Sequence, residues 1–318
     1  MVELGYALSS EEHGPSALVE YARRAEDVGF EFASLSDHFH PWIERQGNSP
    51  FAWTVLGGIA EATDDLEVGT GVTCPIVRVH PAVVAQAAAT TAAAMDGRFY
   101  FGVGTGENLN EHVVGERWPP HPVRLEMLAE AVQILRELWT GEEYTHHGEH
   151  FTVENARLFT VPGDPPPIHV AASGTRTAAA AGRMGDGLIS TAPDEEVVES
   201  FRDEGGEDAP TIGQLTVCWD EDESAAVETA HEWWPNTALP GQLGQDLLTP
   251  VHFEQAVELV EPEDVAEAMV CGADVDEHVA AIEEFVDAGF DRVYVHQVGP
   301  DQESFFEGYE AEVLPAFQ

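Results

Sequence analysis

Short β-type runs alternate with longer helical segments along the chain, and this alternation limits the possible folds more than any other feature. Alternating strands and helices predict βα crossovers and a parallel sheet. Eight such runs within 318 residues favour a closed (β/α)8 barrel over an open doubly wound sheet. The expected strands are 4–8, 32–38, 66–72, 99–106, 168–173, 186–191, 212–219 and 292–298.

The segments between these runs carry apolar residues at the three- and four-residue spacing of a buried helix face. One helix is expected to begin at Pro15 and to end at Gly29. Two segments depart from the alternation of strands and helices. A hairpin is expected at 143–153, and an irregular, partly helical insertion at 222–263. We find no repeat and no linker, so 1–318 is expected to form one barrel domain. Further expected helices are 81–95, 121–140 and 275–290.

The balance of charges is strongly acidic, with 59 acidic residues against 13 basic ones and a formal net charge of -46. All 13 basic residues are arginines, and the chain has no lysine. Nucleic acids and anionic membranes are therefore not expected as partners, because they are bound by clustered basic residues. The acids are spread along amphipathic segments, and molar salt would screen their repulsion. We interpret the acidity as adaptation to the salt-rich interior of a halophile.

The sequence favours a soluble cytoplasmic protein. Its apolar runs are shorter than the roughly 18 residues of a membrane span, and no basic segment precedes the first apolar run. Cys74, Cys218 and Cys271 lie far apart, which fits a reducing compartment. The histidines of the stretch 146–150 lack the spacing of a zinc site, so an exposed polar hairpin is expected and no metal site.

In parallel barrels the chemistry lies at the carboxyl ends of the strands, which draws attention to SDHFHPW at 36–42. Asp37 beside His38 can fix the imidazole tautomer or raise its pKa, as a proton shuttle requires. Trp42 offers a flat wall for a ligand. The alternative is a helix-capping aspartate next to an ordinary surface histidine, but the position at a strand end favours a site.

A glycine-rich stretch, GVGTGENLNE at 102–111, follows the fourth expected strand. Its glycines allow the backbone to approach a flat ligand and free N–H groups for the ligand's polar edge. The stretch lacks the third glycine of a dinucleotide fingerprint, so a Rossmann site is rejected. Glu107 is a candidate acid or base, and Asn110 a candidate hydrogen-bonding ligand.

Two weaker patterns occur at other strand ends. The stretch GTGVTCP at 69–75 can place a bulge behind a bound ring. The stretch AASGTRT at 171–177 leads into a helix whose N-terminus can hold a phosphate, with added charge from Arg176. The alternative for 171–177 is a plain βα turn, and the pattern alone does not decide between the two.

The combination of DHFxPW with GVGTGExLNE resembles the deazaflavin-dependent branch of the luciferase-like superfamily, and most closely its F420-dependent glucose-6-phosphate dehydrogenases. The similarity runs nearly end to end. It implies a (β/α)8 barrel, usually homodimeric, that moves a hydride between coenzyme F420 and a small-molecule substrate. An FMN-dependent monooxygenase on the same barrel is the alternative, and a catalytically silent flavin-binding or scaffold protein is a third possibility.

The resemblance also implies roles for individual residues. Asp37 would contact the deazaflavin, and Trp42 would form a wall of the substrate pocket. His38 would lie over the reacting carbon as the proton-transfer residue, or stabilise the anionic form of the reduced cofactor. Glu107 would be the second acid or base, and Glu11 another carboxylate of the pocket.

The remaining implied contacts surround the cofactor. The bond Gly71–Val72 matches a non-prolyl cis peptide that supports the ring from behind. The other positions implied to contact the cofactor or to hold its phosphate and tail are Thr105, Gly106, Asn110, Ser173, Gly174, Arg176 and Thr177.

The sequence departs from this family pattern at three places. Cys74 stands where the relatives have a threonine that contacts the cofactor. Asp194, just after the expected substrate contact Thr191, and Gln255 stand where lysines would bind a sugar phosphate. An acid at that place repels a phosphate. We therefore expect a neutral sugar or another small alcohol, aldehyde or unsaturated compound rather than glucose 6-phosphate.

Overall fold

Eight parallel strands close into a barrel in the structure, a computed structural model that describes residues 2–317. The strands of the chain are β1 Glu3–Leu8, β2 Phe32–Leu35, β3 Glu67–Thr70, β4 Phe99–Val103, β5 Tyr144–His147, β6 Thr152–Ala156, β7 Ile168–Ala171, β8 Gly187–Ser190, β9 Thr211–Cys218, β10 Val270–Cys271 and β11 Arg292–Gln297. The order around the barrel is β1-β2-β3-β4-β7-β8-β9-β11, and β11 pairs with β1. The expected (β/α)8 barrel is confirmed.

Helices pack around this barrel, and most of the expected ones are present. The first helix ends where Gly29 adopts a φ of 100°, a left-handed conformation that favours glycine. The helices are α1 Pro15–Val28, α2 Ala52–Ala62, α3 Pro81–Met95, α4 Asn108–Glu111, α5 His121–Leu138, α6 Thr175–Met184, α7 Glu195–Phe201, α8 Glu223–Trp233, α9 Leu243–Asp246, α10 Pro250–Val257, α11 Pro262–Ala266, α12 Val275–Asp287 and α13 Gln302–Gly308.

The structure corrects the expected elements in two ways. The helix α2 was missed because its sequence, AWTVLGGIAEA, is apolar on most sides and contains two glycines. Several strands end two or three residues earlier than expected. The backbone N–H groups of Ser36 and Gly71 still donate to Leu8 and Leu35 at 3.2 and 2.7 Å. Beyond these bonds the β1–β2 and β2–β3 ladders end, and apart from one isolated bridge between Thr73 and Val103 the segments with candidate site residues form loops.

Both insertions are present. The hairpin consists of β5 and β6, which pair antiparallel in a small separate sheet. On it, Nε2 of His146 lies 3.0 Å from Oε1 of Glu130, while His147 is exposed. The segment 222–263 contains α8, α9 and α10. The short strand β10, which follows this segment and was not expected, extends the sheet beside β9.

Two kinds of feature are absent from residues 2–317. No helix in this range combines the length and the apolar character needed to cross a membrane. The range also contains no group of three or more His, Cys, Asp and Glu side chains arranged to hold a metal ion.

Side chains fill the barrel interior near the amino ends of the strands, so a ligand can bind only near their carboxyl ends. Phe32, Tyr100 and Tyr294 are packed together there with Ile212. The guanidinium of Arg292 lies 4.1 Å from the ring centre of Phe32. Space for a ligand therefore remains only toward the carboxyl ends of the strands, as in other closed parallel barrels.

Candidate active site

The carboxyl ends of the strands surround a cavity of about 1080 Å³. Six carboxylates and three histidines line it, of which four glutamates are solvent-exposed, and no arginine lines it within residues 2–317. Part of the wall comes from the insertion, through Trp234, Asn236 and Gln245. The carboxylates and histidines of the wall are Glu11, Glu107, Glu223, Glu267, Glu277 and Glu284, with His38, His121 and His296.

Glu11 and His38 form a pair on this wall. They follow the neighbouring strands β1 and β2, whose parallel pairing brings the two loops together. Nε2 of His38 lies 3.3 Å from Oε1 of Glu11, and Nδ1 of His38 lies 3.2 Å from the carbonyl oxygen of His40. The Trp42 ring packs against His38 at 4.9 Å between centres. Both ring nitrogens of His38 thus face hydrogen-bond acceptors.

The carboxyl group of Glu11 is held in its ionised form. Burial alone would raise its pKa, but the charge of His38 and a hydrogen bond from Ser36 outweigh burial, and the pKa is lowered. The Ser36 hydroxyl donates to Oε2 of Glu11 at 2.5 Å. The pair therefore places a fixed negative charge beside an imidazole on the cavity wall.

Asp37 belongs to a buried network behind the wall. Nη2 of Arg78 donates to Oδ1 of Asp37 at 2.7 Å, and the Thr73 hydroxyl donates to Oδ2 at 2.8 Å. The backbone N–H of Arg78 donates to Oε2 of Glu111 at 2.6 Å. Nε of Arg78 lies 3.7 Å from Oε1 of Glu111, so one guanidinium lies between two buried carboxylates. Burial, opposed in part by Arg78, raises the pKa of Glu111 to about 7.

Asn110, which belongs to the motif 102–111, is hydrogen-bonded to the motif 36–42. Its Oδ1 accepts hydrogen bonds from the backbone N–H groups of Phe39 and His40 at 2.9 and 3.3 Å. Its Nδ2 donates to Oε2 of Glu107 at 3.3 Å. The short helix α4 thereby fixes the loop that carries His38 relative to Glu107, which is half-buried and lines the cavity.

The cavity also has a wall of glycine backbone. The peptide bond Gly71–Val72 is cis, as the resemblance implied. A Cβ on Gly104 would lie 2.7 Å from Cγ2 of Val72, and Gly106, with a φ of 73°, packs against buried Cys74. Only glycine fits both places, so peptide groups form this part of the wall. Exposed peptide groups of this kind fit one face of a flat ring with polar edges, such as a deazaflavin.

The start of α6 forms the far end of the cavity. Ser173 and Thr177 line it, and a Cβ on Gly174 would meet no atom within 4 Å. The helix begins without a side-chain cap. Arg176, at the second position of the helix, is exposed. The free N–H groups and the positive end of the helix dipole give this region the chemistry of an anion site.

Most of the sequence-predicted site residues lie together on the wall. Within the described residues, Asp37, Cys74 and Asn110 are buried behind it, and Gly174 and Arg176 lie outside it. Those that line the cavity are Glu11, His38, Trp42, Gly71, Val72, Thr105, Gly106, Glu107, Ser173, Thr177 and Thr191.

Sequence reasoning missed a second glutamate–histidine pair. Oε2 of Glu12 lies 2.9 Å from Nε2 of His296, and the backbone N–H of Gly299 donates to Oε1 at 2.8 Å. His296 lines the cavity. It also missed Arg78, although an arginine in the loop after a strand is a usable signal in a chain with so few cations.

Comparison with known proteins places this architecture in a family. The model of the luciferase-like monooxygenase family matches residues 2–292. The chain belongs to this family. Its fold is also that of the F420-dependent tetrahydromethanopterin reductase from Methanopyrus kandleri, with a TM-score of 0.80 over 100% of this chain and 99% of the reductase, at 22% identity.

Members of the family that resemble this chain in sequence are F420-dependent enzymes. The chain is 36% identical to an F420-dependent glucose-6-phosphate dehydrogenase of Intrasporangium calvum, with 100% of this chain and 99% of that relative covered. It is 35% identical to the same enzyme of Mycobacterium avium, over 99% and 97%. An F420-dependent secondary alcohol dehydrogenase, solved with an F420–acetone adduct, superposes with a TM-score of 0.91 at 31% identity, over 100% and 99%.

Proposed function

We propose that this protein is an F420-dependent oxidoreductase that interconverts a small uncharged alcohol and its carbonyl form. The observation that carries the proposal is the cavity wall on which the Glu11–His38 pair and Glu107 meet glycine-rich backbone at the cis peptide Gly71–Val72. The F420 dependence of relatives at 31–36% identity supports it, and nothing on the wall favours FMN over the deazaflavin.

The chemistry divides between the cofactor and the chain. When bound, the deazaflavin supplies a hydride acceptor or donor. An alcohol that loses a hydride must also lose its hydroxyl proton, and this step needs a base within hydrogen-bond reach. An imidazole satisfies two acceptors only when it carries two protons, so Glu11 and His38 together can take up and release one proton. Glu107 is the second group on the wall that can do so.

The walls keep the reacting groups in place and limit access of water. Trp42 covers His38 from one side, and Asn110 fixes the loop of His38 relative to Glu107. Fixing both partners in one geometry lowers the entropic part of the barrier. Asp37, Cys74 and Asn110 support the cofactor wall from behind, and Ser173 and Thr177 with the start of α6 bind its phosphate side.

A neutral substrate fits this cavity better than a phosphorylated one. Six carboxylates line it, with Glu11 and Glu107 buried or half-buried and the other four solvent-exposed, and no arginine lines it within the described residues. Asp194 is exposed and caps α7, where its Oδ1 accepts from the backbone N–H of Glu196 at 2.9 Å. Gln255 is an exposed residue of α10. A sugar phosphate would meet carboxylates without a compensating cation on the substrate side.

The substrate proposal is tested by the loss of F420 absorbance on reduction, in multimolar KCl. We expect reduction with a small secondary alcohol such as propan-2-ol or with glucose, and at least about tenfold lower kcat/KM with glucose 6-phosphate. Preference for glucose 6-phosphate would contradict the neutral substrate but leave the F420 dependence standing.

We also propose that two copies associate through the exposed faces of α2 and α3. The α3 sequence contains no charged residue, and its exposed positions include Val83, Gln86 and Thr90. In a chain of net charge -46, this face is where two copies meet with little repulsion. Sedimentation should show a dimer, and Thr90→Glu should produce monomers while Ser16→Glu, on exposed α1, should not.

We further propose that the protein works in a salt-rich cytoplasm. Many of its 59 acidic residues are exposed, and α12 alone carries five exposed ones. Such a surface is stable only when the repulsion between its charges is screened.

A further inference from the structure

The turn that follows β1 carries two consecutive glutamates, and both are buried. Residues 10–12 form this turn, and the backbone N–H of His13 donates to the carbonyl oxygen of Ser9 at 3.2 Å. Only 4% of the Glu11 side chain and 0% of the Glu12 side chain are exposed. A buried carboxylate is costly unless donors or a cation face it, so each of the two needs partners that hold it in place.

The two carboxylates face different neighbours of β1 in the barrel. The strand β1 lies between β2 and β11. Glu11 contacts His38 in the loop after β2. Glu12 contacts His296 near the end of β11 and the backbone N–H of Gly299 just after it. One short turn therefore joins the carboxyl ends of three adjacent strands.

The other hydrogen bonds that residues 9–13 make outside the turn, within the described range 2–317, go to the loop after β2. The backbone N–H of Ser10 donates to Oγ of Ser36 at 2.8 Å. The backbone N–H of Asn48 donates to the carbonyl oxygen of Glu11 at 2.9 Å. Glu12 is thus the residue that anchors the turn on β11.

The partners of Glu12 are themselves fixed. Gly299 has a φ of 91°, a left-handed conformation that favours glycine, and its carbonyl oxygen accepts from Nε2 of Gln302 at 2.7 Å. The ring of Trp234 packs against His296 with 4.5 Å between centres. The N–H of Gly299 and Nε2 of His296 therefore present two fixed positions to the two oxygens of Glu12.

Charge connects the two glutamate–histidine pairs as well. Burial raises the pKa of Glu11, but the charge of His38 and, to a smaller extent, that of His296 contribute to lowering it below its ordinary value. Glu11, His38 and His296 line the cavity, whereas Glu12 is fully buried behind them. Glu12 can therefore act on a ligand only through its neighbours.

We propose that Glu12 and His296 are positioning residues for the Glu11–His38 pair. They fix the turn after β1 on β11, and the fixed turn holds the Glu11 carboxylate beside His38. Without them the turn is held from the β2 side alone, and Glu11 is no longer confined to one geometry. A proton transfer between groups that are not held in one geometry is slower. The inference rests on the proposed function, because the reaction it concerns is the proton transfer proposed there.

The proposal predicts that substitutions of Glu11 and Glu12 are not additive. Glu12→Ala should lower turnover by about fivefold or more, because both contacts with β11 are lost. In a Glu11→Gln background the same substitution should change turnover by less than about twofold, since a positioning residue has no effect once the group that it positions is inactive. His296→Leu should behave like Glu12→Ala. His296→Gln keeps an N–H donor near Glu12 and should recover most of the turnover.

The experiment measures kcat for F420 reduction in multimolar KCl for each single and double variant. Glu26→Ala is the matched control. Glu26 also fixes a loop, by accepting from two backbone N–H groups just before β3 at 2.6 and 2.7 Å, but it does so at the amino ends of the strands. Its variant should leave turnover unchanged. If Glu12→Ala fails to fold, His296→Leu takes its place. Additive losses from the Glu11 and Glu12 substitutions would overturn the proposal.

A measurement without the cofactor separates this inference from the proposed function. The histidine ring signals of the isotope-labelled protein are followed by NMR at fixed pH and salt, and the His38 signal is assigned by its loss in His38→Gln. Glu12→Ala should move this signal in the same direction as Glu11→Gln, because both take a carboxylate away from the ring. Absence of F420 reduction by any alcohol would refute the proposed function alone. A His38 signal that Glu12→Ala leaves in place would overturn the positioning role.

Discussion

Oε1 of Glu11 lies 3.3 Å from Nε2 of His38, and only 4% and 10% of these side chains are exposed. Such a pair inside a cavity can hold a proton at a defined atom, because the carboxylate fixes the orientation of the imidazole ring. The two residues come from loops after adjacent strands, so the strand pairing of the barrel fixes their separation.

Removing the charge of Glu11 should impair proton transfer without removing the pocket. Glu11→Gln is expected to lower turnover by about ten- to hundredfold, and to change the pH profile of kcat/KM because the charge acting on His38 is lost. F420 affinity should stay within about threefold of wild type. Steady-state kinetics with Glu20→Gln, an exposed position on α1, as control would test this; an unchanged pH profile would contradict the role of the pair.

Glu107 is expected to act directly on the substrate. Glu107→Gln should lower turnover by a factor on the order of 100 or more while F420 binding is kept. The amide preserves the size of the side chain and can still interact with Asn110. Single-turnover kinetics with the exposed Glu116→Gln as control measure this effect. Near-wild-type turnover would remove Glu107 from the mechanism.

The buried carboxyl of Glu111 should make stability depend on pH. Its pKa of about 7 in the folded state lies above the ordinary 4.5. The stabilisation by the bound proton is therefore complete below about pH 4.5 and is lost as the pH rises to about 7. Glu111→Gln should remove this loss and be more stable than wild type above that range, by on the order of 1 kcal/mol. Urea unfolding in multimolar KCl at several pH values measures it, and parallel pH curves for the two proteins would contradict it.

Salt should be required for the folded state. With a net charge of -46, dilute buffer leaves the surface repulsion unscreened, while molar salt shortens the Debye length to about 3 Å. The melting temperature should therefore rise strongly between dilute buffer and multimolar KCl. Sodium chloride serves as a control for a specific effect of potassium. A melting temperature that does not change with salt would refute the interpretation of the acidic surface.

The sequence was a good guide to the fold because strand and helix periodicities differ and glycines mark the turns. Gly29 ended its helix as expected, whereas α2 was missed because it lacks a polar face. The strand ends were placed too late, since no glycine or proline directly after a strand such as β2 marks where it ends. Only the pairing of neighbouring strands decides where a ladder opens.

Part of the site could also be predicted, because the geometry of a parallel barrel directs attention to the residues that follow its strands. Residues directly after the strands, such as His38 and Glu107, were found because barrel geometry selects them. Arg78 was missed, since its importance comes from burial and from its carboxylate partners, which spacing does not reveal. The same holds for the Glu12–His296 pair, whose members are 284 residues apart in sequence.

Titration of the purified protein with coenzyme F420 and with FMN, in multimolar KCl, tests the central claim most directly. Absorbance and fluorescence report binding of either cofactor. Saturable micromolar binding of F420 with none of FMN is the expected result, and it would reduce the remaining question to the identity of the alcohol. Tight binding of FMN without binding of F420 would contradict the account and the hydride-transfer roles of His38 and Glu107.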